Sequence, residues 1–153
     1  LHLPRAGRFD AARAKAADIP LEYWRVLQAG QSIGGFTPDD VLGPPRRGLT
    51  VVYATDTRPC PALVHAALGA DLLCMDSTYA DDADLPKAKL YGHSTCREVG
   101  ALANEAMVRR LWLIHYSAAV TDPAPGLTAA QAHYPEAAAG VDGMRLELEF
   151  DEA

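Results

Sequence analysis

The chain has 153 residues, of which 49% are hydrophobic, 22% charged and 7% aromatic. That composition belongs to a globular protein with one domain-sized core, and it excludes collagen-like, mucin-like and disordered classes. The formal net charge of −6, from 14 Lys plus Arg and 20 Asp plus Glu, excludes a general polyanion binder. Residues 1–48 read as a connecting segment or appendage, with a short helix near Asp10 to Ala17, a segment around Trp24 to Ile33, then Pro38, Pro44 and Pro45.

From residue 49 onward, strands and helices alternate. Leu49 to Thr55 is β-branched and aromatic, which predicts a buried strand. Thr57 is placed to cap a helix from Pro61 to Leu68, whose face carries Leu63, Val64, Ala67 and Leu68 and which Gly69 ends. Asp71 to Met75 predicts a second strand, and Asp81 to Lys89 a loop or short irregular helix. Thr95-Cys96-Arg97-Glu98 fits a capping box, opening an amphipathic helix with Val99, Leu102, Ala103 and Ala106 on one face. Leu111 to Ile114 predicts a third strand and Pro123 to Gly126 a turn. A short helix is expected from Thr128 to about His133, and the alternation from Met144 to Phe150 predicts a half-exposed strand. The order favours an α/β fold with neighbouring strands parallel.

No run of about 18 apolar residues exists, so no transmembrane helix and no membrane partner are expected. The N-terminus has no apolar signal core, and it lacks an initiator Met, which fits a processed chain or a fragment. Cys60, Cys74 and Cys96 form no CxxC pair, which argues for a reducing cytoplasm over a disulfide framework or a cysteine zinc site. Arg46-Arg47 and Arg109-Arg110 are the local basic pairs, of a kind that ordinarily marks a solvated surface.

Ligands of α/β folds gather at the C-terminal ends of strands. Those ends carry Asp56, Asp76 and His115, and His93 lies in the loop before the capped helix. Two carboxylates and two imidazoles suit zinc or a similar divalent metal; the competing reading has Asp56 capping a turn and His115 as a buried structural histidine. The chain has no GxGxxG, GxxxxGK[ST] or GxSxG motif.

Four ordered segments resemble ribonuclease Z: Val52-Tyr53-Ala54-Thr55-Asp56-Thr57-Arg58-Pro59-Cys60, Ala70-Asp71-Leu72-Leu73, Gly92-His93-Ser94-Thr95 and Leu113-Ile114-His115-Tyr116-Ser117. Gly7-Arg8-Phe9-Asp10 and Val41-Leu42-Gly43-Pro44-Pro45 extend the likeness over most of the chain. The resemblance is to that family's C-terminal half. It implies one mixed sheet with flanking helices, half of a metallo-β-lactamase αββα sandwich, over residues 49–153. It also implies a zinc-dependent endoribonuclease that removes 3′ trailers from precursor tRNA by metal-hydroxide phosphodiester hydrolysis, with two zincs per complete site.

By position in the motifs, Asp56 corresponds to the aspartate bridging the two zincs and His115 to a terminal zinc ligand. His93 corresponds to a proton donor for the leaving oxygen. Asp76 stands where the family has a glutamate that orients that histidine, so its shorter carboxylate needs a loop shift to reach. Ser94 and Thr95, in the His-Ser-Thr loop, are candidate substrate contacts. Other departures are Thr55 for a glycine, Met75-Asp76-Ser77-Thr78-Tyr79 for His-Glu-Ala-Thr-Phe, and Tyr116-Ser117-Ala118-Ala119-Val120, which lacks the family's arginine.

The His-x-His-x-Asp-His ligand motif does not occur, so this chain alone is expected to be inactive or nearly so. Alternatives are another hydrolase of the same fold, such as a cyclic nucleotide phosphodiesterase or arylsulfatase-like enzyme, or a non-catalytic half-domain used for interaction. A single sheet with an uncovered inner apolar face also predicts a homodimer, or aggregation, unless residues 1–48 cover that face.

Overall fold

The computed structural model describes residues 1–151. In chain order its elements are β1 (His2–Arg5), α1 (Ala11–Ala16), α2 (Leu21–Gln28), a 3-10 turn at Pro38–Asp40, β2 (Arg46–Ala54), α3 (Pro61–Ala67) and β3 (Leu72–Asp76). A second 3-10 turn at Asp82–Asp84 is followed by α4 (Leu85–Tyr91), α5 (Cys96–Glu105), β4 (Leu111–Ile114), α6 (Ala124–Gln131) and β5 (Ala137–Ala139). Among the described residues the strands form one five-stranded sheet in the order β1-β2-β3-β4-β5. β2 to β5 are parallel, with Ala54 beside Met75 and Asp76 beside Ile114. Leu1 and Val51 exchange both main-chain bonds, at 2.8 Å each, which is the antiparallel pattern that makes the sheet mixed.

The chain divides into two compact units. The larger comprises Leu1–His2 and Thr50–Glu149. Its core is Leu73 and Met75 of β3, Leu111 and Leu113 of β4, and Val99, Leu102 and Ala103 of α5. All five residues of β3 are buried, as an apolar central strand of a covered parallel sheet must be. Asp71, just before β3, is 2% exposed; its carboxylate accepts from the Thr50 amide at 2.7 Å and lies 3.7 Å from Arg109. The smaller unit comprises Leu3–Leu49 and, among the described residues, 150–151. It has its own cluster of Ala14, Ile19, Leu27 and Val41, edged by Phe9 and Trp24 with ring centroids 5.2 Å apart.

Several expectations need correction. Met144–Phe150 forms no strand, although its polarity alternates. The edge position beside β4 is taken instead by Ala137–Ala139, which pairs through Leu111 to Leu113. α6 begins at Ala124, so the expected turn at Pro123–Gly126 is the first turn of a helix; proline in its first positions lacks only an amide that would be unbonded anyway. Gly126 sits inside that helix because a Cβ there would stand 2.7 Å from the Cys96 sulfur. Cys60, not Thr57, is the N-cap of α3; the Thr57 amide donates to Asp76 at 3.2 Å and its hydroxyl to the Arg58 carbonyl at 3.2 Å. The capping box at Thr95 and Glu98 forms as expected. No helix among the described residues is long and apolar enough to cross a membrane.

A Cβ on Gly100 would lie 2.4 Å from the Ala130 carbonyl oxygen, backbone that cannot swing aside. Gly100→Ala is therefore expected to lower stability by about 1–3 kcal/mol in a denaturant titration, because overpacking exceeds the helix-propensity gain. Cys60 is exposed whereas Cys74 and Cys96 are buried, and burial pushes the Cys96 thiol up to about 11. A thiol reagent at mildly alkaline pH is expected to modify Cys60 alone in the folded chain and all three cysteines after unfolding.

Candidate metal centre

Three adjacent parallel strands end at the site. Asp56 follows β2 by two residues, Asp76 is the last residue of β3, and His115 follows β4 directly. His93 comes from the connection between α4 and α5, where Gly92 takes the left-handed conformation (φ 79°) that ends α4. Tyr79 and Thr95 form a parallel bridge, with Tyr79 N to Ser94 O at 3.2 Å and Cys96 N to Tyr79 O at 2.9 Å. That bridge brings the His93 loop against the end of β3.

Asp76 is fully buried. Its Oδ1 accepts from the Thr78 amide at 3.0 Å, the Thr78 hydroxyl at 2.8 Å and the Ser94 amide at 3.4 Å. Its Oδ2 accepts from the Thr57 amide at 3.2 Å and lies 2.7 Å from His93 Nδ1. Burial works against the charge, but the bonds from His93, Thr78 and Ser94 outweigh it and hold the carboxyl below its ordinary range. The aspartate reaches His93 in spite of its shorter side chain.

A carboxylate is acceptor-only, so it selects the His93 tautomer with a proton on Nδ1 and leaves Nε2 for other work. His115 is oriented alike. Its Nδ1 is 3.1 Å from the Thr78 hydroxyl and 3.6 Å from Asp76 Oδ2, and its Nε2 is 3.4 Å from Asp56 Oδ1. The two imidazoles stack, with centroids 5.5 Å apart and planes at 23°. One donor atom from each of Asp56, His93 and His115 falls within a 4.8 Å group. Two nitrogens and one oxygen are a donor set that suits zinc or a similar divalent metal, with buried acceptors behind the rings.

Asp56 and His115 both hold left-handed backbone, with φ of 49° and 61°. Neither is glycine, so this conformation costs energy, a cost commonly found where side chains are aimed for function. Thus the four expected residues Asp56, Asp76, His93 and His115 do come together. Ser94 and Thr95 are placed differently from a surface contact. Both are 0% exposed; the Ser94 hydroxyl donates to the Thr57 carbonyl at 2.6 Å, and the Thr95 hydroxyl accepts from the Glu98 amide at 3.3 Å.

Sequence reasoning passed over Thr78. Its hydroxyl lies within 3.2 Å of Asp76, of both imidazole Nδ1 atoms and of the His115 carbonyl. The only signal was its place two residues after Asp76, the spacing at which a carboxylate and a backbone amide form an Asx turn. Thr78→Val keeps the shape and removes the hydroxyl. It is expected to cost about 1–3 kcal/mol in denaturant unfolding, because buried acceptors lose a donor; an unchanged midpoint would refute the hub role.

No family model matches the chain. Curated relatives do. The chain is 38% identical over 156 residues to a ribonuclease Z of Lachnospira eligens, covering 99% of this chain and 51% of that protein. It is 42% identical to a ribonuclease Z of Salinibacter ruber, covering 95% and 47% respectively. It is 43% identical to one of Myxococcus xanthus, covering 94% and 49%. The chain spans about half the length of the curated relatives it matches. Among solved structures it resembles the metallo-β-lactamase fold protein YhfI from Bacillus subtilis, with a TM-score of 0.54 and 25% identity over 61% of this chain and 38% of that one. By sequence, then, the chain is a relative of the ribonuclease Z proteins over about half their length, and by fold it has the α/β architecture of the metallo-β-lactamase fold.

Proposed function

We propose that this chain is the C-terminal half of a zinc-dependent endoribonuclease of the ribonuclease Z type, which removes 3′ trailers from precursor tRNA by phosphodiester hydrolysis. The observation that carries the reading is the convergence of Asp56, His93 and His115 donors within 4.8 Å. In this reading residues 1–48 are a connecting segment, and residues 49–153 are half of the catalytic domain.

Asp56 and His115 would hold the metal, with His115 Nε2 already facing the Asp56 carboxylate at 3.4 Å. When bound, zinc supplies Lewis acidity that activates water and offsets phosphate charge. Asp76 fixes His93 by accepting from Nδ1–H, which leaves Nε2 free to take up a second proton and pass it to the leaving oxygen. Thr78 keeps the His115 ring in register with the His93 ring. Asp56 and His115 are two ligands, too few to complete the coordination of a zinc, so the remaining ligands would come from the rest of the protein.

The net charge of −6 describes this half, and the grip on tRNA falls to the other. Free cysteines support a cytoplasmic setting. A cleft of about 600 Å³ lined by Tyr53, Cys74, Trp112 and Met144, with Tyr53 70% exposed, leaves apolar surface open and supports a homodimer.

The test uses the full-length protein with a 3′-extended precursor tRNA and a zinc assay. Asp56→Ala is expected to abolish cleavage and lower zinc content; retained cleavage refutes its role. His93→Ala is expected to slow turnover by about 10²–10⁴-fold with zinc retained. Zinc loss in that variant would make His93 a ligand. Hydrolysis of a cyclic nucleotide or an aryl sulfate in place of the tRNA would move the substrate to another class of the fold.

A further inference from the structure

We infer that Arg58 is a positioning residue: its guanidinium, shared between the His93 carbonyl and the Glu98 carboxylate, sets the separation of Asp56 from His93. This rests on the roles proposed above, Asp56 as metal ligand and His93 as proton donor. Arg58 Nη1 donates to the His93 carbonyl oxygen at 2.6 Å, and Nη2 pairs with Glu98 Oε1. The other oxygen of Glu98 accepts from the Thr95 amide at 3.0 Å, completing the capping box of α5. Arg58 is therefore tied to the rigid start of a helix at one prong and to the His93 backbone at the other.

A second tie lies one residue away on each loop. The Ser94 hydroxyl donates to the Thr57 carbonyl at 2.6 Å. Residue pairs 57/94 and 58/93 thus lace the Asp56 loop to the His93 loop, directly beside both side chains. Asp56 itself has a 71% exposed side chain and left-handed backbone, so its aim depends on how the following residues are anchored.

The Arg58–Glu98 pair is not an ordinary surface ion pair. Its side chains are only 24% and 23% exposed, which reduces screening, and the guanidinium bonds two acceptors at once. Only a planar fork meets both acceptors with fixed geometry; a lysine ammonium is a point charge on a flexible stem. Glu98 meets Arg58 and the Thr95 amide with different oxygens, and glutamine at 98 would turn an NH2 group, which cannot accept, toward one of these two donors.

The test measures zinc affinity, by competition with a chromophoric chelator, and hydrolysis of bis-p-nitrophenyl phosphate, both on the full-length protein. Arg58→Met is expected to lower zinc affinity or kcat by about 10–100-fold, with KM within about twofold of wild type. Arg58→Lys is expected to recover part of the loss, and Glu98→Gln to fall between wild type and Arg58→Met. A folded Arg58→Met protein with zinc affinity and kcat both within about twofold of wild type would overturn the inference. If Arg58→Met does not fold, Arg58→Lys decides: wild-type affinity and kcat overturn the inference, and a reduced kcat at unchanged melting temperature and KM upholds it. Asp56→Ala is the separate control. If it keeps wild-type zinc affinity and turnover, the metal reading itself fails, whatever Arg58 does.

Discussion

The buried carboxylate of Asp76 is the interaction on which the site depends. A carboxylate taken out of water loses several kcal/mol of solvation unless donors replace it. Here the replacements come from three separate stretches: Thr57 after β2, Thr78 after β3, and His93 with Ser94 before α5. Satisfying one charge therefore fixes three loops. The loops carry Asp56, His115's partner Thr78, and His93, so the electrostatic demand of one residue becomes the geometry of the candidate centre.

The sheet supplies what that network cannot. Asp76 ends a strand whose register sets Met75 beside Ala54 and Asp76 beside Ile114. A slip of one residue would turn every side chain of β3 to the opposite face. Asp71 at the other end of the strand opposes such a slip by binding the Thr50 amide at 2.7 Å. The strand is thus pinned by an acidic group at each end, and the apolar residues between them join β3 to the helical layer through Leu73, Met75 and α5.

Much of this could be read in the sequence, for physical reasons that differ by element. β2, β3 and β4 are dense in β-branched or large apolar residues, and the Thr95–Glu98 box is a local bond pattern, so neither depends on distant partners for its signal. Asp56, Asp76 and His115 were legible because strand ends in such folds share one edge, and His93 because it stands in the Gly92-His93-Ser94-Thr95 motif before the capped helix. Ala137–Ala139 was hidden because alanine has little strand preference, and pairing with β4 alone makes it a strand. Met144–Phe150 misled in the reverse direction: alternation gives a faced segment but no partner to pair with. The Arg58 tie was invisible because its acceptors lie 35 and 40 residues away in the chain.

The left-handed backbone at Asp56 and His115 bears on how such a chain can change over evolutionary time. At both positions the main-chain conformation, as well as the side chain, limits which residues fit. Asparagine, aspartate, histidine and glycine accept that conformation more readily than β-branched or bulky residues do. Asparagine or glycine at either site would therefore keep the loop while changing the donor it presents. Valine, isoleucine or threonine there would instead report that the loops themselves had been rebuilt.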